Sequence, residues 1–437
     1  MKRTYKIFPS LFFILLSLAS YSQDTLSVED AVRVALENNY TIQLVKNDVA
    51  IAENNNNIYN AGFLPSVIAS GSQDNSINSV RQRQISGLER SVDNGVGRSI
   101  NGSVMMDWTI FQGFNMFIAK NTLEQLQGVE EMQARITIEN AVSSVIVAYF
   151  EIVAGQMRRR VLLDAVSLSK ERKDLAEFKL KLGSASQIDL YQATVDLNAD
   201  SSALLQQEAV LKALKADLNL LLGRDPATAF EVVEVLPLNT DINFASTLEK
   251  VKNQNSQIFL ARRNLTLAEL NTQYWKNQYF PSISLYGGYN YVRSENPSSI
   301  FVFNKTYGPV YGVRASFNIF NGFANKRNLA NARIMQKSGE LQLKQAQLEV
   351  ENDFYKVYTS YETSHQLLKL EEANVKVARE NFNIASEKFK LGAIDNIELR
   401  VTQQKLIDAE NRFVNAQYQA KIAETEIYRL SGVLWGL

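Results

Sequence analysis

Few residues in this 437-residue sequence have the types and spacing that covalent or metal chemistry requires. There is no cysteine, which excludes a thiolate nucleophile, a disulfide framework and a lipidated N-terminal cysteine. The single histidine, His365, argues against a histidine-based metal site, and we interpret it as a surface or interface residue of a helix. The adjacent pairs Glu130-Glu131 and Glu371-Glu372 would diverge on a helix and indicate solvated faces. Without a phosphate-binding loop or a Ser/His/Asp set, we expect neither an enzyme nor a bound cofactor or metal.

One pair of carboxylates is spaced so that both side chains would lie on the same face of a helix. Asp395 and Glu398 are three residues apart at the start of a helical segment, so both would lie on one helix face. The segment follows a break at Gly392-Ala393-Ile394. At the least, two acids in the first turn stabilise a helix against its dipole, by about 0.3–1 kcal/mol each.

The composition and the N-terminus indicate which partners and which cellular location to expect. The 46 basic and 46 acidic residues balance, so no basic surface points to nucleic acid. Residues 1–22 have the pattern of a secretory signal, with Lys2, Arg3 and Lys6 before the apolar stretch Leu11 to Ala19. That stretch is too short to span a bilayer, which takes about 20 residues, and no later stretch reaches that length. We therefore expect an exported protein without a transmembrane helix.

The sequence is duplicated. The passage from Asp107 to Phe114 recurs from Ser316 to Phe323, and each copy marks a change from period two to helical periodicity. Three glycine pairs keep a constant spacing of 209 residues: Gly113 and Gly322, Gly183 and Gly392, Gly223 and Gly432. Such constancy over a hundred residues indicates duplication of a strand-and-helix unit.

The repeat divides the chain into corresponding parts. We predict a first repeat over 23–223, an irregular connector over 224–243 and a second repeat over 244–437. Each repeat begins with short helices, the first of them capped by Ser27. Predicted β-hairpins (about 64–112 and about 281–320) and long helical hairpins (113–223 and 322–431) follow. Within the first β-hairpin, the polar stretch from Asn75 to Gly97 is predicted to be a solvated loop.

The predicted strands alternate between an apolar and a polar face, which fits either a soluble sandwich or a membrane barrel with its apolar face toward lipid. The tyrosines near the second hairpin favour the barrel. Four strands cannot close a transmembrane barrel, for which about eight are the minimum, so a barrel requires several copies of the chain. The long helices have heptad seams, such as Val142, Val145 and Tyr149, and would reach roughly 100 Å.

In its ordered features the chain resembles the TolC-like outer-membrane efflux proteins. The features are the Pro-initiated strands at Pro65 and Pro281, the Phe-x-Gly strand-to-helix junctions Phe111/Gly113 and Phe320/Gly322, and the tips Leu182-Gly183-x-x-Ser186-x-x-Asp189-Leu190 and Leu391-Gly392-x-x-Asp395-x-x-Glu398-Leu399. The resemblance implies a mainly α fold with a small β part. It further implies a homotrimer with a 12-stranded transmembrane β-barrel on a 12-helix periplasmic α-barrel, and a mixed equatorial belt that includes the connector.

The resemblance also implies a function and a location. The protein would be a passive exit duct in the outer membrane of a Gram-negative bacterium, surrounded by outer-membrane lipid and extending into the periplasm. A periplasmic adaptor and an inner-membrane RND or ABC transporter would be its partners, in multidrug efflux or type I secretion. The cargo, the energy source of the pump and the resting state of the channel are not indicated.

Site residues follow from the same resemblance. The tips would dock the adaptor, through Gly183, Ser184, Ala185, Ser186, Gly392, Ala393 and Ile394. In a trimer, Asp395 and Glu398 would form a carboxylate ring at the periplasmic gate. Family members often have a further acid three positions on, where this chain has Val401. Asp107 and Arg314 lie on polar strand faces and would line the barrel lumen, without an assigned selectivity.

A soluble periplasmic coiled-coil scaffold or adaptor is the alternative interpretation. Adaptors have one helical hairpin between β domains, whereas this chain has two hairpins that alternate with matching strand pairs. A hydrolase on a helical scaffold lacks any residue constellation to support it.

Overall fold

The computed structural model describes residues 25–299 and 301–436, so the predicted signal segment 1–22 lies outside the described residues. The fold is mainly helical, with a four-stranded sheet at one end. The helices are α1 Val28–Asn38, α2 Tyr40–Asn55, α3 Asn115–Lys181, α4 Gln187–Leu221, α5 Phe244–Gln254, α6 Ser256–Asn277, α7 Ala324–Lys390 and α8 Asn396–Leu430, followed by a 3₁₀ turn at Val433–Gly436. The strands are β1 Thr25–Leu26, β2 Ser66–Arg83, β3 Glu89–Gln112, β4 Glu231–Val232, β5 Ser282–Glu295 and β6 Phe303–Ser316.

The main sheet is antiparallel, with the order β2-β3-β5-β6. Its central pairing, β3 with β5, joins the last strand of the first repeat to the first strand of the second. Among the described residues, no strand pairs with the outer edges of β2 and β6. The short strands β1 and β4 pair in parallel and attach the beginning of the chain to the connector.

The predicted loop from Asn75 to Gly97 is wrong. Strand β2 continues to Arg83 and β3 begins at Glu89, and the two are paired along nearly their whole length. The stretch is polar because most of it is exposed on both sides, so it lacks the alternation that reveals a half-buried strand. Its backbone hydrogen bonds come from the neighbouring strand, which composition does not show.

The predicted second hairpin also differs at its end. Strand β6 stops at Ser316, opposite Ser282 at the start of β5, whereas the prediction extended it to Phe320. No strand in the described part of the chain lies opposite the residues beyond Ser316. In the first repeat, the matching residues Trp108 to Gln112 do pair, because β5 lies beside them.

The helical hairpins are equal in the two repeats. Helices α3 and α7 each have 67 residues, and α4 and α8 each have 35. The heptad seam of α3 is confirmed, since Val142, Val145 and Tyr149 are at most 2% exposed. They join α1, α4 and the connector in the central apolar core. Helix α7 buries Val350 and Phe354 in the same way against α5 and α8.

Specific polar contacts recur with the repeat. Tyr149 donates its hydroxyl to the carbonyl of Leu26 at 2.9 Å, and Tyr358, 209 positions later, donates to Ile242 at 3.0 Å. In the same manner, the side-chain amides of the helix-capping residues Asn39 and Asn255 donate to the last turns of α4 and α8. Each repeat thus fixes its short helices to its long hairpin through equivalent bonds.

Helix α3 is more apolar than the sequence prediction allowed. An 18-residue window in it has a mean hydropathy of 1.5 with at most two charged residues, so by length and composition it could cross a membrane. A buried core helix has the same composition, and α3 supplies many residues of the central core. We attribute its apolar character to that core.

Both strand-to-helix junctions turn through two consecutive left-handed residues. Gly113 and Phe114 have φ of 56° and 67°, and Gly322 and Phe323 have φ of 64° and 61°. Their surroundings differ. A Cβ on Gly113 would overlap the carbonyl oxygen of Asn277, whereas a Cβ on Gly322 would meet no atom within 4 Å.

This difference gives a matched test of the junction. We expect Gly113→Ala to lower the stability of the purified protein by several kcal/mol, because strain at positive φ of about 1–2 kcal/mol adds to the overlap with Asn277. Gly322→Ala should cost only the strain. Thermal unfolding in detergent, followed by circular dichroism, measures both. Equal effects of the two substitutions would contradict the packing role of Gly113.

Candidate functional site

The two helix-hairpin tips are exposed turns built around glycine. Gly183 and Gly392 have φ of 74° and 76°, and a Cβ on either would meet no atom within 4 Å. In both, the chain folds back on the last helical turn: the Ser184 N–H donates to the Lys179 carbonyl and the Ala393 N–H to the Lys388 carbonyl, each at 2.9 Å. Glycine is the residue that adopts this conformation without strain.

The remaining tip residues start the return helices. Ser186 caps α4 in a capping box with Asp189, in which each side chain accepts a hydrogen bond from the backbone N–H of the other. The N–H and hydroxyl of Ser186 hold the pKa of Asp189 below its usual value. At the other tip, Asp395 caps α8 and accepts the Glu398 N–H at 2.8 Å.

The predicted carboxylate pair therefore has a structural role as well. Asp395 uses a side-chain oxygen as the helix cap, while Glu398 is exposed one turn along. Asp395 precedes the first helical residue of α8 and Glu398 lies in its first turn, so the pair stays at the start of the helix. A substitution that removes only the charge must keep the cap, which asparagine does and alanine does not.

The tips of the two hairpins lie side by side. The ammonium group of Lys179 lies 4.7 Å from the ring centre of Phe389 and donates to its carbonyl oxygen at 3.4 Å. Nearby, Phe382, Phe389 and Leu399 form a small apolar cluster with residues of α3. The two adaptor-docking segments predicted from sequence thus belong to one surface of the chain.

A buried polar cluster lies between the helical hairpins, on the side of the tips that faces the connector. It was not predicted from the sequence. Arg400 of α8 donates to both oxygens of Asp200 of α4, at 2.7 and 2.8 Å, and Asp200 also accepts the hydroxyl of Ser169 of α3. Arg172 of α3 donates to Asp196 at 2.7 Å. The sequence signal that could have indicated it is the spacing of Asp196 and Asp200, which are four residues apart in α4 and therefore on one helix face.

The cluster is electrostatically balanced. Hydrogen bonds to Asp200 raise the pKa of Arg400, whereas burial lowers the pKa of Arg172. Two arginines face two aspartates, so the buried charges neutralise one another, as buried charges must. The cluster connects the first helical hairpin to the last helix.

The sheet brings together the two charged residues predicted to share a polar face. Arg314 of β6 reaches across β5 to Asp107 of β3, with 3.6 Å between Nη1 and Oδ2, and its guanidinium lies 5.1 Å from the ring centre of Tyr286. Gly312 leaves room for Tyr286, because a Cβ there would lie 2.5 Å from the tyrosine hydroxyl. We call the sheet face that holds Asp107, Tyr286 and Arg314 the polar face.

The opposite face of the sheet is apolar and exposed. In register across β3, β5 and β6, it presents Trp108, Leu285 and Val313, and four residues further along the strands Val104 and Tyr289. Of these, all but Leu285 are more than a third exposed, and Trp108 donates its indole N–H to the Phe63 carbonyl at 2.8 Å. An exposed apolar sheet face of this kind marks a membrane or protein contact.

The described residues contain no group of three or more His, Cys, Asp or Glu side chains that could hold a metal ion. His365 stacks edge-on against Tyr361, with ring centres 4.5 Å apart, and is half-buried in the seam of α7. Its contact is with an aromatic ring of the same helix.

Comparison with known proteins agrees with this geometry. The TolC outer membrane protein of Vibrio cholerae is 18% identical over 73% of both chains. The TtgC probable efflux pump outer membrane protein of Pseudomonas putida is 20% identical over 94% of this chain and 83% of its own. Among solved structures, the Campylobacter jejuni CmeC outer membrane channel superposes with a TM-score of 0.77 at 16% identity, covering 93% of this chain and 85% of that one. The outer membrane protein VceC of Vibrio cholerae gives 0.75 at 15% identity, covering 93% and 96%.

A family model described as outer membrane efflux protein matches residues 31–224 and 247–433, nearly all of both repeats. The match ends and resumes around the connector, in agreement with the duplication. This chain belongs to the outer membrane efflux protein family.

Proposed function

We propose that this outer-membrane protein is the passive exit duct of a tripartite efflux or type I secretion system. The single observation that carries the proposal is a four-stranded sheet with an exposed apolar face and two edges that no described strand pairs with, followed by helical hairpins roughly 100 Å long. Family membership sets aside the soluble scaffold that the sequence left open.

The repeat symmetry supports closure of the sheet by further copies. Within the chain, the last strand of repeat one pairs with the first strand of repeat two. By the same relation, β6 would pair with β2 of a neighbouring copy, and Phe317 to Phe320 would then gain the partner that the equivalent residues of β3 have. Four strands from each of three copies would make a 12-stranded barrel. The four long helices of each copy would likewise make a 12-helix tube. Full closure removes the unpaired edges that lipid does not tolerate.

In such a barrel the two sheet faces have different surroundings. The apolar face, with Trp108, Tyr289 and Val313, would contact outer-membrane lipid. The polar face would line the lumen, so that the Asp107–Arg314 pair would occur three times around it. The short helices and the connector 224–243 would form the equatorial belt, and residues 1–22 would be removed on export.

The oligomer and its pore are tested together. We expect the detergent-purified protein to have the mass of a trimer and to produce discrete, long-lived conductance steps in a planar bilayer. A water-soluble monomer without conductance would contradict the duct.

The helical tips are proposed to dock a periplasmic adaptor, itself recruited by an RND or ABC transporter of the inner membrane. The tip segments 183–186 and 392–394 consist of small residues except for Ile394, and open space surrounds Gly183 and Gly392, which allows close approach of a partner. Two tips per copy would give six such turns around the end of the tube.

A bulky side chain at a tip should block docking. We expect Gly392→Trp to abolish export, measured as dye accumulation in cells in which the variant replaces the native protein, with trimer and conductance retained. Gly62→Trp is the matched control, because Gly62 also has positive φ, at 82°, and open space around it, but lies between α2 and β2. Normal export by Gly392→Trp, or equal loss in the control, would contradict docking at the tip.

Asp395 and Glu398 are proposed to form the carboxylate ring of the periplasmic gate. Three copies would place six carboxylates around the end of the tube, a concentration of charge that favours cations. Asp395→Asn with Glu398→Gln keeps the helix cap and removes the charge.

We expect this double substitution to reduce the preference for cations, measured as the reversal potential in a salt gradient. The control is Glu372→Gln with Glu380→Gln, which removes two exposed carboxylates of α7 away from the tip. An unchanged reversal potential in the tip variant would exclude the ring as the determinant of selectivity.

A further inference from the structure

The first β-hairpin extends beyond the second. Pairing between β3 and β5 ends at Arg98 and Glu295, whereas β2 and β3 stay paired up to Arg83 and Glu89. The extension has about eight residues in each strand and is therefore about 25 Å long at 3.3 Å per residue. It lies at the end of the sheet away from the long helices.

Residues 296–299, the first part of the loop between β5 and β6, do not project away but fold onto this extension. Ser298 is 5% exposed and donates its hydroxyl to the Asn78 carbonyl at 3.2 Å. The Ser298 hydroxyl lies in the space that a side chain at position 95 would fill, because a Cβ on Gly95 would overlap this hydroxyl. At Gly97, a Cβ would come within 3.3 Å of Asn296. Two glycines thus create a seat for the loop.

Arg90 holds the loop in that seat. Its guanidinium donates to the Ser299 carbonyl at 2.7 Å and to the Pro297 carbonyl at 2.6 Å. A hydrogen bond from a charged donor to a carbonyl oxygen is stronger than one from a neutral donor. The loop is therefore attached at three successive residues to a hairpin of the other repeat.

The side of the sheet on which the loop lies follows from the strand register. Pairing of β2 with β3 is unbroken from Ser66 and Asp107 to Asn78 and Gly95. Successive residues of a strand alternate between faces, so Gly95 and Gly97 lie on the same face as Asp107. This is the polar face. The loop is thus seated on the polar face at the outer end of the sheet.

We propose that the loop between β5 and β6, held by Arg90 on Gly95 and Gly97, narrows the exterior mouth of the duct. The inference rests on the proposed function, because the polar face lines the lumen only in a closed barrel. Three copies would place three seated loops in the mouth, so release of the loop from Arg90 widens the opening to large molecules. The constriction is at the opposite end of the molecule from the helical tips.

Access from outside can be measured by thiol labelling of the sheet, because the chain has no cysteine of its own. This measurement does not depend on the helical tips. Ser103→Cys places one thiol on the polar face below the loop, opposite Ser70, and Val104→Cys places one on the apolar face. Outer-membrane vesicles with the exterior surface outward are treated with a small charged maleimide and with a polyethylene-glycol maleimide. The labelling rates of both reagents are compared in each background.

We expect the small reagent to label Ser103→Cys but not Val104→Cys. In the Ser103→Cys background, Arg90→Ala should make polymer labelling about tenfold faster, the change in population that a loss of about 1.4 kcal/mol gives. Gly95→Val, which displaces Ser298, should do the same. Arg81→Ala is the matched control, because Arg81 lies on the opposite face of the same extension, and should leave the rate unchanged.

The outcomes separate the two proposals. If small-reagent labelling distinguishes the two faces but neither Arg90→Ala nor Gly95→Val speeds polymer labelling, the loop does not narrow the mouth and the duct stands. An equal increase with Arg81→Ala also overturns the inference. If the small reagent labels Val104→Cys as fast as Ser103→Cys, the assignment of the faces fails, and the duct and the constriction fail with it.

Discussion

The backbone hydrogen bonding of the sheet is the constraint on which the rest of the structure depends. Strands β2 and β6 each have one edge of N–H and C=O groups without a strand partner among the described residues. Lipid offers no hydrogen bonds to such groups, and each unsatisfied group costs several kcal/mol there. The described residues carry only half the strands of the smallest transmembrane barrel, so in the proposed duct the other strands would come from copies of the same chain. Under that proposal, the membrane location itself requires the oligomer.

Duplication makes this closure geometrically simple. Because β3 pairs with β5 inside the chain, the contact between β6 and a neighbouring β2 can reuse the same geometry, including the residues that follow Ser316. The helical layer obeys the same rule: helix lengths are equal in both repeats, and Tyr149 and Tyr358 make equivalent bonds. In the proposed tube, each repeat would pack against its neighbour through the same kind of contacts.

The sequence predicted what depends on local periodicity and missed what depends on neighbours. The bounds of the long helical hairpins, seam residues such as Val142 and Tyr149, and the turn glycines were predictable from spacing alone. The extent of β2 and β3 was not, because polar strands exposed on both faces show no alternation. The contact of Arg314 with Asp107 depends on the register across β5, and the partners of Arg400 lie about two hundred residues away. Pairings of this kind are tertiary and leave no local signal.

The packing of the helices changes along their length in a way that matters for a duct. Near the connector the helices share a large apolar core, around Tyr149 and Val153. Toward the tips the apolar clusters become small, and the polar cluster of Arg400, Asp200 and Ser169 joins the hairpins instead. Apolar packing tolerates rearrangement poorly at any point of a core, whereas a hydrogen-bonded charge cluster depends on a few directional contacts. Regions with few buried apolar contacts open at the lowest free energy. In the proposed tube, the end at the tips would therefore be the part of the helical layer in which a change of a few contacts moves whole helices.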